Sequence, residues 1–404
     1  MLLRLIWNKH TRNVVLWILA HILRIVKGKI MCVCWGGAKY NCNPKAITDK
    51  IIEKGLIRGQ KSDKGFEIIY AFIKPSQFEG ILPKEIKVVD IGSFEYFYLL
   101  ATSQFIIANT RFGGGQYWPF KKKKGQQYIQ TMHGGHGMKK QELEVCDTLG
   151  EDYIKALYED ASRIDLMISD SKFWTEKART IFAYPEGEIL EVGLPRNDIF
   201  FASDEVKMQM KKDICSNHGI NYTPDTKFLV YCPTFRNNGR KDVYGFDIDK
   251  TINALETKFG GVWYILVSSH PNMQSFYQEI YDFSHPRLID VGREDLQPIL
   301  VSSDVAITDY SSAGFEFALT NNPCFLLCRD LEDYDRGVYF DMKSLPFPYS
   351  ETDDQLIENI QNFDNDKYLK DLDKFNKEII GLNETGHASN IVVEWLELKK
   401  EQKI

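Results

Sequence analysis

Hydrophobic positions in this chain come in short, dense runs separated by longer amphipathic stretches. Runs rich in β-branched and aromatic residues predict buried strands over 31–35, 66–72, 86–91, 105–109, 127–132, 165–169 and 188–192. The second half repeats the pattern more cleanly, with strands over 228–232, 263–268, 287–291, 304–308 and 324–327. Between them, helical spacing covers 45–54, 149–160, 173–182, 248–258, 295–301 and 312–319, while 353–400 reads as helix with no strand signal. Strands alternating with helices predict parallel sheets with helices on both faces. The fold class is therefore α/β, with two doubly wound Rossmann-type domains. The turn-rich passage Gly193-Leu194-Pro195-Arg196-Asn197-Asp198 is the expected interdomain connection. Residues 31–194 then form an N-terminal domain, and 195–404 a C-terminal domain that includes the terminal helices.

Composition sharpens this in two ways. The 404 residues exceed one ordinary core, so two domains are required by size as well as by pattern. A net charge of −6 gives no reason to expect a nucleic-acid partner. The eight cysteines form no CxxC pair, which fits reduced thiols in the cytosol.

The charge is unevenly placed. No acidic residue precedes Asp49, whereas Arg4, Lys9, Arg12, Arg24, Lys27, Lys29, Lys39 and Lys45 all do. The apolar stretch from Val14 to Val26 is too interrupted for a span of ~20 residues, and it lacks a small-residue cleavage site. Residues 1–30 are therefore expected to form a basic amphipathic helix on an anionic membrane surface, peripheral at the cytoplasmic face. The plainer alternative is a helix packed on its own domain.

In open α/β sheets, ligands sit beyond the carboxyl ends of strands. The residues there form a chemically coherent set: His133, His136, Lys139 and Lys140; then Pro233, Thr234 and Arg236; then Ser268, Ser269 and His270; then Thr308, Ser311 and Ser312. Cations, imidazoles, hydroxyls and a helix start make an anion site, and a diphosphate fits it. Each member also has a structural alternative. Ser311 or Ser312 can simply cap a helix, Arg236 can pair with an acid, and Lys121 to Lys124 can be a solvated loop. His133 and His136 lack the further ligands of a metal site. No Walker loop, no GxGxxG after a strand and no GxSxG elbow occurs, which removes support for ATPase, dinucleotide-dependent and serine-hydrolase readings.

Taken in order, these residues resemble the CDP-glycerol glycerophosphotransferase family, which builds teichoic acids and related cell-wall or capsule polymers. Gln130-Thr131-Met132-His133-Gly134 resembles its Gln-Thr-Trp-His-Gly motif, with Met132 in the Trp position. The passage 193–198 resembles Gly-x-Pro-Arg-Asn-Asp, and Tyr231-Cys232-Pro233-Thr234-Phe235-Arg236 resembles Tyr-Ala-Pro-Thr-Trp-Arg. His270-Pro271, Thr308-Asp309-Tyr310-Ser311-Ser312, the block 329–341 and the segment 39–45 complete the set.

The resemblance implies a GT-B-like fold whose two domains face a cleft. It implies a CDP-glycerol or other CDP-polyol donor and a lipid-linked glycan or polyol-phosphate acceptor, with CMP released and no cofactor. It implies His133 as base and His270 facing it, with His136 open as a sharer of the base role because the loop after Gly134 departs from the family's common form. Substrate binding would fall to Arg236, Thr308, Ser311, Ser312, Glu316, Gly134 and Lys139. A GT-B glycosyltransferase using a nucleotide sugar, or a membrane-docked scaffold without activity, are the rival readings. No oligomeric state is legible.

Overall fold

A computed structural model describes residues 9–59, 64–112, 120–236, 240–268, 277–334 and 336–402. The chain divides into two compact units. The first carries strands β1 (Val26–Val33), β2 (Glu67–Phe72), β3 (Ile86–Asp90), β4 (Ser103–Ala108), β5 (Gln127–Gln130), β6 (Leu166–Ser169) and β7 (Glu188–Glu191). They form one parallel sheet in the order β3-β2-β1-β4-β5-β6-β7. The second unit holds β8 (Thr226–Cys232), β9 (Val262–Val267), β10 (Leu288–Asp290), β11 (Val305–Thr308), β12 (Cys324–Leu327) and β13 (Tyr349–Ser350). Its sheet is also parallel, in the order β10-β9-β8-β11-β12-β13.

Both sheets start in the middle, wind outward and return to the other side. The order therefore reverses between β1 and β4 and again between β8 and β11, and the carboxyl ends of those pairs are the switch points where α/β folds bind ligands. The central strands are covered on both faces, which is why they read as unbroken apolar runs. Met31 lies level with Ile69 and Ile106 in the first sheet, and Ile307 with Tyr231 and Phe325 in the second.

Four expectations need correction. The first strand begins at Val26, inside the segment assigned to the N-terminal helix, and that helix runs Lys9–Ile22. Lys29 hid the strand, since it is buried but reaches Thr102 Oγ1 at 3.3 Å and Glu67 at 3.7 Å. The first unit extends through Asp198 rather than ending at 194. The chain from Leu382 onward belongs to the first unit, not the second. Its helix Ala388–Glu401 places Val392, Val393 and Leu396 in the core formed by β1, β2 and β4. Conversely, His136–Gln141, which follows β5, belongs to the second unit.

The helix Lys9–Ile22 packs against the helix Phe94–Thr102 and buries Leu16, but leaves Val14, Trp17, Ile18 and Ile22 exposed. No helix among the described residues is long and apolar enough to cross a membrane. Beside the helix's end lies an open groove of about 810 Å³ lined by His21, Arg24 and Lys121 to Lys124. Lys122 pairs with Asp165 at 2.7 Å and Lys123 donates to the Leu23 carbonyl at 2.7 Å. Burial lowers the proton affinity of Lys123. Lys121 and Lys124 are exposed, with Lys121 5.8 Å from the Trp17 ring centre.

Candidate functional site

In the first unit, β5 ends in a loop whose geometry is fixed several times over. Gln130 Oε1 accepts from the Met132 amide at 3.1 Å, while Gln130 Nε2 donates to the Thr110 carbonyl and the Tyr128 hydroxyl. Asn43, fully buried, donates through Nδ2 to the carbonyls of Thr131 and Met132 at 3.1 and 3.0 Å. Its Oδ1 accepts from the Arg196 amide at 3.0 Å, which ties the loop to the passage 193–198. Met132 is held at φ 51°, a left-handed conformation that a side chain adopts at a cost of about 1–2 kcal/mol. Such strain survives only where the surroundings over-determine it, and it clusters at functional sites. Gly135 cannot be replaced without rearrangement, because a Cβ there would stand 1.6 Å from Asp170 Oδ2.

His133, next along, is exposed. Its Nδ1 lies 2.9 Å from the Asn109 carbonyl, at the end of β4. A carbonyl only accepts, so Nδ1 carries the proton and a neutral ring has its lone pair on Nε2. That is the form of a general base.

In the second unit, the switch point is built on a buried ionic network. Arg236, 4% exposed, donates from Nε to Asp330 at 2.7 Å and pairs through Nη1 with Asp309 at 2.9 Å. Burial alone would disfavour its charge, but the two carboxylates outweigh it and push the guanidinium up. Burial likewise opposes Asp330's charge, and Arg236 and the Tyr310 hydroxyl hold that carboxyl down. Asp309 also accepts from the Thr234 amide at 2.9 Å, which stitches the loop after β8 to the loop after β11. Tyr310 stacks on Tyr334 with ring centres 3.9 Å apart.

On this base sit the hydroxyls. Thr308 is buried and donates to the Cys232 carbonyl at 2.7 Å, holding β8 to β11. Ser311 and Ser312 are half-buried where the helix Ala313–Phe317 begins. Ser311 Oγ accepts from the Ala313 amide at 3.3 Å, a capping role, whereas Ser312 makes no cap bond. Glu316 is buried and accepts from Gln297 Nε2 at 2.9 Å. The segment 136–141 joins this group. His136 is buried with its ring 4.7 Å from that of Phe315, and Lys139 pairs by backbone with Val338. A Cβ at Gly137 would stand 3.6 Å from Ser312 Cβ.

The fold thus collects Arg236, Thr308, Ser311, Ser312, Glu316, His136 and Lys139 in the second unit and His133 with half-buried Gly134 in the first. His270 lies outside the described residues. Among the described residues, no group of three or more His, Cys, Asp or Glu side chains is disposed to hold a metal ion. Trp35, Asn43 and Asn109 went unsingled in the sequence because neutral side chains acting on backbone groups carry no charge pattern. Of the three, Asn43 lies within the segment 39–45 that resembles the family.

Two parallel, doubly wound sheets, one in each unit, define a GT-B-like fold. Residues 16–398 match the family model of CDP-glycerol:poly(glycerophosphate) glycerophosphotransferase, and the chain belongs to that family. It is accordingly an enzyme of polyol-phosphate transfer from a CDP-linked donor to an acceptor. The chain is 28% identical over 381 residues to the teichoic acid poly(glycerol phosphate) polymerase of Bacillus spizizenii, covering 90% of each chain. It is 28% identical to the teichoic acid glycerol-phosphate transferase of Staphylococcus aureus, over 87% of this chain and 88% of that one. The structure of the wall teichoic acid polymerase TagF superposes with a TM-score of 0.77 at 24% identity, over 96% of this chain and 94% of that one, which establishes the common fold.

Proposed function

We propose that this enzyme transfers glycerol phosphate from CDP-glycerol to a hydroxyl of a teichoic-acid-type acceptor, with His133 as the base. The acceptor oxygen attacks the phosphorus bearing the glycerol, and the anhydride P–O bond breaks with its electron pair leaving on CMP. The acceptor's proton passes to His133 Nε2. The observation that carries this is the His133 imidazole, exposed and fixed as the Nδ1–H tautomer by Asn109. The burial of His136 against Phe315 supports His133 over it as base.

Ser312, Ser311 and the amides of the helix start are the groups suited to hold the donor's diphosphate, together with His270 and Lys139. Arg236, Thr308 and Glu316 support that set from beneath, since their polar atoms already engage Asp309, Asp330, Cys232 and Gln297. The acceptor is lipid-linked, and the enzyme works peripherally at an anionic membrane surface on the cytoplasmic side. The exposed Val14, Trp17, Ile18 and Ile22 beside a groove of cations support this placement.

A donor panel tests the reaction. With CDP-glycerol, CDP-ribitol and UDP-sugars offered alongside a glycerol-phosphate-primed acceptor, CMP release coupled to glycerol-phosphate incorporation is expected from CDP-glycerol. UDP released from a sugar donor, with no CMP from either polyol donor, would overturn the reading in favour of a glycosyltransferase.

A further inference from the structure

The base in the first unit is flanked by a residue that no motif marks. Trp35 follows β1, directly at the switch point, and its indole is half-buried with its centre 4.6 Å from the His133 ring at a tilt of 42°. Three features lock it there. Its amide donates to Asn109 Oδ1 at 2.7 Å, its Nε1–H donates to Asn41 Oδ1 at 2.9 Å, and its backbone sits at φ 50°, ψ 44°.

Asn109 is the shared anchor: its side-chain oxygen holds Trp35 and its backbone carbonyl holds His133 Nδ1. Because Oδ1 must face the Trp35 amide, the Asn109 Nδ2 donor is left buried without a hydrogen-bond partner among the described residues. An unmade buried hydrogen bond costs about 1–3 kcal/mol. Left-handed backbone recurs at Trp35, Cys42 and Met132, all in segments that Asn41, Asn43 and Asn109 tie together. Stability is given up repeatedly to keep one arrangement of this corner.

We infer that Trp35 is the positioning residue of His133. Its indole face bars the imidazole from rotating off the Asn109 carbonyl, so that Nε2 stays directed at the acceptor hydroxyl, and it lies over the ring on which positive charge develops as the proton arrives. An aromatic face attracts such a cation, so the contact strengthens in the transition state and acts on kcat. This rests on His133 being the base.

The test uses the full chain and the CDP-glycerol assay. Trp35→Leu should lower kcat about 10- to 100-fold, the range that misplacing a reacting group produces, with the KM for CDP-glycerol unchanged within about twofold. Trp35→Phe, which keeps an aromatic face, should recover most of the loss. Asn41→Ala, which frees the indole without changing it, should fall between. The imidazole ¹⁵N shifts of His133, identified by their absence in His133→Asn, should report one Nδ1–H tautomer in the parent and a mixture in Trp35→Leu.

Parental kcat in Trp35→Leu, or a single Nδ1–H tautomer retained in it, overturns the inference, as does Trp35→Phe failing alongside Leu. Should Trp35→Leu fail to fold, parental kcat in Asn41→Ala overturns it equally. His133→Asn run in parallel separates the two ideas: activity surviving there removes the base assignment itself, whereas its loss beside an active Trp35→Leu removes only the role of Trp35.

Discussion

Asp160 shows how a single group behind the site couples its shape to pH. It is 2% exposed, and it accepts from the Phe112 amide at 3.0 Å and from the Tyr128 hydroxyl at 3.1 Å. Tyr128 in turn receives Gln130, whose other end holds Met132. Burial pushes the Asp160 carboxyl up to about 6, against the pull of those donors and of Arg163 and Arg111. In the unfolded chain it titrates near ~4. The native state therefore holds this proton longer, and the resulting stabilisation is complete below ~4 and is lost as pH rises through about 6. That difference in proton affinity between the two states corresponds to about 3 kcal/mol. Asp160→Asn should remove that decline, so its unfolding free energy in urea should change less between pH 4 and pH 7.5 than the parent's. Equal pH dependence in parent and variant would refute the account. The same chain of bonds explains what sequence reading could reach. His133 and Ser311 follow strands and carry reactive groups, so their positions alone marked them. Asn43, Asn109 and Trp35 act through amides and carbonyls, and only folded geometry reveals that.

At the level of elements, the strands were legible because burial on both faces forces apolar runs, and their parallel pairing followed from the alternation with helices. The two-residue β13 was too short to leave a pattern. The docking of the last helix was also hidden, because its partner is remote in sequence. Asp198 accepts from the amides of Ala388 and Ser389 at 2.9 and 2.8 Å, placing a carboxylate at the start of Ala388–Glu401. His387, the residue in the cap position, makes no side-chain cap bond. Asn197 and the Leu194 amide reinforce the junction through Glu384. The passage 193–198 thus works as a clasp within the first unit. Asp198→Ala should destabilise that unit by about 1–2 kcal/mol, the scale of a lost N-terminal cap with its dipole partner. Urea unfolding followed by hydrogen exchange in Ala388–Glu401 would measure it, and unchanged exchange there would refute the clasp.

For the molecule as a whole, the N-terminal helix and the lysine loop form one surface. Lys121 and Lys124 are exposed, whereas Lys122 and Lys123 are engaged with Asp165 and Leu23. Reversing the two exposed charges should therefore spare the fold. With each basic group near an anionic bilayer contributing about 1 kcal/mol, Lys121→Glu/Lys124→Glu should lower cosedimentation with phosphatidylglycerol vesicles at least about tenfold. Undiminished binding of that variant would remove the membrane placement of this groove. The return of the chain from Leu382 to the first unit has a consequence in time rather than in space. A ribosome delivers β1 before the second unit and Ala388–Glu401 after it. The half that emerges later can finish folding sooner. Until the helix Ala388–Glu401 leaves the exit tunnel, the helix Cys42–Glu53, against which it packs and which carries the core residues Ile47 and Ile51, lacks that partner. Maturation of the first unit's sheet therefore waits until translation has passed through the second unit.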